Sequence, residues 1–392
     1  MKLRKLALAC AAIPAALFLT GCGSDDSSSS GTQFYSHAQS APAIGGSVPV
    51  NYYNINGGSF TPSSENAVLN FYATGGAVAA GSEVSELLPT QNGSILVALS
   101  ALVTSGSGAL VITDYNVGSN NVLTLNSTVS QTGTVYVRGV NHATVGQSTV
   151  SSQTKSFAVF TGAGVDVGGS VQDEGSLGVV VPAGTTFSGS DQVTTYTLAT
   201  SGGSTAGLGE SYNAIAINSS SSQSQPVIYM GSQSGDSIQQ CELTFNSNFV
   251  PSLAVTSGGN TCISKDTTSL GAPVGDLAVA QSGVNVVVLA DLPNSNILVS
   301  CPASNWEVPF GDGNCDLIDV TYPDGTTGNT IYDINLNASR TQIFINTEGN
   351  TGTDAMVQCD INSTGTQITN CQLPKNSGSA LNIGSNEQNT AI

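Results

Sequence analysis

Basic side chains are almost missing from this chain of 392 residues. Lys and Arg number 8 against 26 acids, a formal net charge of −18. So acidic a surface repels phosphate backbones and anionic headgroups, which excludes nucleic acid as a partner. The same shortage removes the usual surface of soluble helices, and no window carries a sustained helical apolar period with caps. Histidine is scarcer still. His37 lies in a polar N-terminal stretch, and His142 is alone in the body of the chain. Triad hydrolysis and His-rich zinc sites need an imidazole placed among partners, so both are disfavoured, and His142 reads as a solvated loop residue. The apolar run Leu6 to Leu19 is 14 residues long, short of the roughly 20 that span a bilayer. No G-x-S-x-G elbow, Walker loop or strand-to-helix G-x-G-x-x-G occurs.

What remains is rich in strand signals. From about residue 48 onward, short β-branched runs such as Ile95-Leu96-Val97, Leu110-Val111-Ile112, Thr134-Val135-Tyr136-Val137 and Val286-Val287-Val288 alternate with Gly, Ser, Asn and Asp. Apolar residues make up 39% of the chain, enough for a packed core. The fold class predicted is all-β.

The cysteines carry a period. Cys241, Cys301 and Cys359 are spaced by 60 and 58 residues, and Cys262, Cys315 and Cys371 by 53 and 56. Near-constant spacing of this size marks a repeat architecture. The flanks repeat with it. Asn213 to Asn218 aligns with Gly275 to Ala280 and with Tyr332 to Asn337. A second strand follows in each at Val227 to Met230, Val286 to Leu289 and Ile343 to Asn346, and a third ends at the first Cys.

This order of short antiparallel strands resembles a β-propeller blade, and Cys359-Asp360-Ile361-Asn362-Ser363-Thr364-Gly365, closing at Cys371, is similar to Cys-paired blades of the broad bacterial YVTN/NHL-like class. The resemblance covers roughly residues 210–380 and implies fold more than activity. Three blades cannot close a ring, since propellers run from about four to eight. The expectation is therefore one ring of six or seven blades with decayed N-terminal blades; the alternative is an N-terminal β-sandwich at 45–205 followed by C-terminal β repeats. Six cysteines permit 15 connectivities. The repeat favours pairing within each unit: Cys241 with Cys262, Cys301 with Cys315, Cys359 with Cys371. Each such loop would contribute about 3 kcal/mol in the chain-entropy model.

The N-terminus carries a second resemblance. Lys2, Arg4 and Lys5 precede the apolar run, and Leu19-Thr20-Gly21-Cys22 closes it. This is similar to the lipobox of bacterial lipoprotein signal peptides. The resemblance implies cleavage of residues 1–21, lipidation and acylation at Cys22, and attachment to a membrane. Gly23 in place of Asp favours the outer membrane, with the body facing the periplasm or the cell surface. Residues 22–44, with Ser27 to Ser30 among them, read as a flexible tether. An N-terminal β region at 45–205 and the repeats at 206–385 complete the expected organisation. Export would supply the oxidising compartment that disulfides need.

Chemistry is sparse. Gly235-Asp236-Ser237-Ile238 resembles the nucleophile block of GDSL-type hydrolases, but no His follows position 142, so it reads as a turn into a strand. Asp312, Asn314 and Asp316 alternate as calcium-loop ligands do; Leu317 stands where an EF-type loop has Gly, which makes a blade-edge turn the plainer reading and calcium the alternative. Trp306, the sole tryptophan, and Phe310 are candidates for a partner contact or for core packing. Asp276 and Asp333 fall at equivalent repeat positions, which suggests a structural role. The function predicted is a non-enzymatic, membrane-anchored binding or scaffold module for a protein or glycan, without a cofactor. The alternative is a calcium-dependent propeller enzyme such as a lactonase-like hydrolase.

Overall fold

In the computed structural model, strands are described from Thr32 to Ala391, with side chains chiefly between residues 142 and 373; residues 1–31, and with them Cys22, lie outside the described residues. The fold is an all-β propeller. The described strands pair antiparallel except where Lys375–Asn376 lies parallel to Ser59–Pro62, and one helical turn is described at Thr268–Leu270.

Four blades are described with their cores, where six or seven were expected. The first comprises Val135–Val150, Gln153–Val167, Ser170–Gln172, Ser176–Val180 and Val193–Thr197. The second comprises Tyr212–Asn218, Val227–Ser232, Ser237–Phe245, Pro251–Leu253 and Cys262–Asp266. The third runs Leu277–Ser282, Asn285–Asp291, Ile297–Pro302, Asp316–Asp319, and the fourth Ile331–Leu336, Gln342–Glu348, Asp354–Ile361, Ile368–Gln372. The first strand of each blade touches the first strand of the next, which puts these four strands innermost.

The first blade falls inside the region 45–205 that the alternative assigned to a separate sandwich; instead it packs on the second blade. Two further sheets are described through strand pairing alone. One holds Glu83–Pro89, Ser94–Ser100, Leu110–Val117 and Leu123–Gln131. The other joins both ends of the chain: Thr32–His37 pairs with Ser47–Asn56 on one side and with Asn389–Ala391 on the other. A strand thus begins inside the stretch expected to be tether.

The blades are buried on both faces, which explains why their strands read as continuous apolar runs rather than as alternating ones. Side chains alternate across a strand. Ile215 and Ile217 therefore meet Phe157, Val159 and Val179 of the first blade, while Ala214 and Ala216 meet Leu277, Val279 and Val288 of the third. Between the third and fourth blades, Ala280, Val287 and Leu289 pack on Ile334, Ile343 and Ile345. Each fully buried Ile, Leu or Phe contributes about 1.5–3 kcal/mol relative to exposure.

The three disulfides are those the repeat favoured. Cys241 bonds Cys262, Cys301 bonds Cys315, and Cys359 bonds Cys371, with Cα separations of 4.3, 4.4 and 4.1 Å. Cys241–Cys262 and Cys359–Cys371 each join two paired strands of one blade, Cys301–Cys315 ties the third strand of its blade to the residue before the fourth, and each puts a buried sulfur into the core between blades.

Candidate functional site

The turn that begins the innermost strand of the third blade is built from Gly275 and Asp276. Asp291, at the end of the next strand, folds back on it: its carboxylate Oδ1 accepts the Asp276 N–H, its backbone carbonyl accepts the Gly275 N–H at 3.2 Å, and its own N–H donates to the Asp276 carbonyl at 3.2 Å. The Asp276 carboxylate is spent on the backbone as well. Oδ1 accepts the Leu277 N–H at 2.7 Å, and Oδ2 accepts the Ile334 N–H of the fourth blade at 3.1 Å. Asp276 is thus a stitch between two innermost strands, in keeping with the structural role inferred from its repeat position.

Asp333, its counterpart in the fourth blade, is 4% exposed and accepts the Asn335 amide at 3.0 Å. It lies opposite Asn346 in register, as Asp276 lies beside Asp291. The second blade has Ala214 opposite Gly231 at the same place. No Cβ fits at Gly231, because the side chain of Val274 occupies the space.

His142 belongs to the innermost strand of the first blade and is half-buried. Gly146 abuts Ile217 of the second blade, so His142 stands near the start of the neighbouring strand. His142, Asp276, Asp291 and Asp333 therefore share one mouth of the ring. Burial pushes the carboxyl of Asp291 up to about 7. The N–H groups of Asp276 and Gly275 and the charge of His142 act against this rise; the charge of Asp333 adds to it. A proton can therefore be held or released here near neutral pH, close to an imidazole that solvent reaches. Sequence reasoning misses both groups: no acidic residue adjoins His142 in the sequence, and nothing local marks Asp291. The sequence alignment sets Leu289 against Asn346, so the equivalence of Asp291 with Asn346 emerges only from the strand register.

The other sequence candidates are not gathered here. Trp306, a candidate by sequence for a partner contact or for core packing, takes the second role: it is 3% exposed and wedged between the second and third blades. Its Nε1 donates to the Ile238 carbonyl at 3.2 Å, its ring meets Tyr229 edge-on at 5.1 Å, and the buried ammonium of Lys265 lies 5.1 Å from its centroid. Desolvation holds the Lys265 pKa below its ordinary value. Phe310, Asp312 and Asn314 lie outside the described residues, and Asp316 is exposed on the outermost strand of the third blade. Among the described residues no group of three or more His, Cys, Asp or Glu is arranged to hold a metal. At the mouth, carboxylate oxygens that a calcium ion would need already accept backbone N–H groups.

No protein-family model matches the chain, and no curated protein does. Solved structures do. A periplasmic gluconolactonase from Pseudomonas aeruginosa is 14% identical over 86% of this chain and 81% of its own, with a TM-score of 0.49. A putative 6-phosphogluconolactonase from Bacteroides uniformis is 12% identical over 88% and 82%, with a TM-score of 0.48. TolB from Acinetobacter baumannii is 11% identical over 88% and 66%, with a TM-score of 0.42. At these values the likeness concerns architecture. The expectation of a non-enzymatic protein is withdrawn: lactonase-type propellers stand among the structures matched, at a likeness that by itself argues no activity.

Proposed function

We propose that this chain is a propeller hydrolase that opens a lactone or another small ester at the mouth formed by His142, Asp291 and Asp333. The observation that carries the proposal is the pairing of a solvent-reachable imidazole with a buried carboxyl pushed up to about 7. General acid–base groups work best when they titrate near the operating pH. In the step proposed, water attacks the ester carbonyl while His142 takes its proton; the acyl C–O bond breaks, and the leaving alkoxide recovers that proton from His142. Asp333, and Asp291 once it ionises above about pH 7, act through His142, stabilising the imidazolium by their negative charge. The test is hydrolysis of gluconolactone followed by pH-stat against the spontaneous rate. His142→Gln is expected to lose about 10²–10⁴-fold of the enzymatic rate, the range a general base supplies, with an unchanged melting temperature. A wild-type rate equal to the spontaneous one, or a variant as fast as wild type, would sink the proposal.

The setting proposed is the bacterial outer membrane, by lipid on Cys22, with the body beyond the cytoplasm. Support comes from Leu19-Thr20-Gly21-Cys22 and from three disulfides, which persist in oxidising compartments. We propose further that the two sheets described by pairing alone complete a ring of six. Support comes from Asn389–Ala391 touching both Ile331–Leu336 and Glu83–Pro89, and from Glu83–Pro89 touching Val135–Val150, contacts that a cyclic order of innermost strands would make.

A further inference from the structure

The opposite mouth, where the innermost strands end, holds Arg340. It lies in the turn between the first two strands of the fourth blade, reaches past the third blade, and donates from Nη1 to Asn218 Oδ1 of the second at 3.3 Å. Asn218 is fully buried at the end of its innermost strand.

Three observations set this arginine apart. Its backbone is in the left-handed region, with φ of 56°, where a non-glycine residue is strained and persists only if its surroundings hold it. They do hold it. Asn337 Oδ1 accepts the N–H groups of Thr341 and Gln342, the Asn337 N–H donates to Gln342, and the Arg340 N–H donates to the Asn337 carbonyl. The turn is thus built to carry a residue at which glycine would cost less, so the side chain is what the position retains. Second, a guanidinium has five N–H donors, and the Asn218 bond occupies one of them. Third, no carboxylate among the described residues pairs with it, in a chain where acids outnumber bases by 26 to 8. Burial holds its pKa below the ordinary value. A desolvated cation without a counter-charge is costly. Two other cations with described side chains have partners: Lys155 donates to the Pro182 and Ala183 carbonyls, and Lys265 faces Trp306.

We propose that Arg340, steadied by Asn218, is a binding site for a small oxyanion, a carboxylate or a phosphate, at this second mouth. The planar fork matches two oxygens of one anion. The site is remote from His142 and independent of the hydrolase assignment. The test is thermal melting and isothermal titration of the whole chain with inorganic phosphate and, separately, with acetate, each against chloride at matched ionic strength. A saturable upward shift with one of the two anions is expected, and which anion gives it identifies the source. Arg340→Gly suits the left-handed backbone, so it should fold with an unchanged or higher melting temperature in chloride and lose the shift. Arg340→Lys keeps the charge without the fork and should bind at least tenfold more weakly. The proposal is overturned if neither anion gives a saturable shift, or if Arg340→Gly retains it, which would mark a general salt effect.

Discussion

Asp291 shows how one side chain can set a pH response. A carboxyl ordinarily loses its proton near pH 4, as it does in the unfolded chain. In the fold, the Asp291 carboxyl holds its proton until about pH 7. Below pH 4 both states are protonated and the shift has no effect on stability. Between 4 and 7 the unfolded chain ionises while the fold does not, so stability falls as pH rises, by about 1.4 kcal/mol per unit and about 4 kcal/mol in all. Asp360, whose pKa is lowered by hydrogen bonds from Asn370 and Gln342, acts in the other direction and in another window: its contribution is present above about pH 4 and lost below it. Melting temperature should therefore decline from pH 4 to 7.5, and Asp291→Asn should flatten the decline. A wild-type curve that is level over this range would show that Asp291 ionises normally.

At the level of elements, the disulfides lend themselves to separation. Cys359 and Cys371 lie 12 residues apart in a single blade, and replacing both by Ser should cost about 3 kcal/mol, read from urea unfolding. A loss below about 1 kcal/mol would mean that the fourth strand is held by its packing alone. This pairing is legible in the sequence because the repeat brings equivalent cysteines to equivalent strands. So are the three strand triplets, because strands buried on both faces have no choice but to be apolar throughout. The first blade is not legible. Its long hairpin, Val135–Val150 with Gln153–Val167, has no cysteines and turns at Ser151 and Ser152 with φ of 49° and 69°, where Asn-Gly would have announced the turn. Trp306 is half legible: the sequence admits core packing or a partner contact, and the fold adds which two blades its loop is tucked between. The mouth is the least visible, because His142, Asp291 and Asp333 come from three blades and no spacing links them.

For the whole molecule, cohesion depends on neighbouring blades meeting face to face. Trp306 bridges two of them, filling the space beside the small side chains of Ala214 and Ala216 while bonding to Ile238 across the interface. Trp306→Ala should cost about 3–5 kcal/mol. It leaves a void and strips the aromatic face from buried Lys265, so Trp306→Phe should recover part of the loss. Calorimetry of the two variants checks this, and an alanine variant within 1 kcal/mol of wild type would remove Trp306 from the interface. The pairing of the chain ends has a mechanical meaning. Thr32–His37 and Asn389–Ala391 run antiparallel, with Tyr35 beside Ala391 and His37 beside Asn389. A pull through the residues before Thr32 and after Ala391 leaves from the same end of this pair, so its bonds open one by one, as a zipper does, rather than together in shear. Once the pair has parted, the disulfides limit the extension. They close separations of 21, 14 and 12 residues and so withhold on the order of 70, 45 and 40 Å of extended chain. The paired chain ends give way first, and a shortened chain is all that a sustained load can draw out.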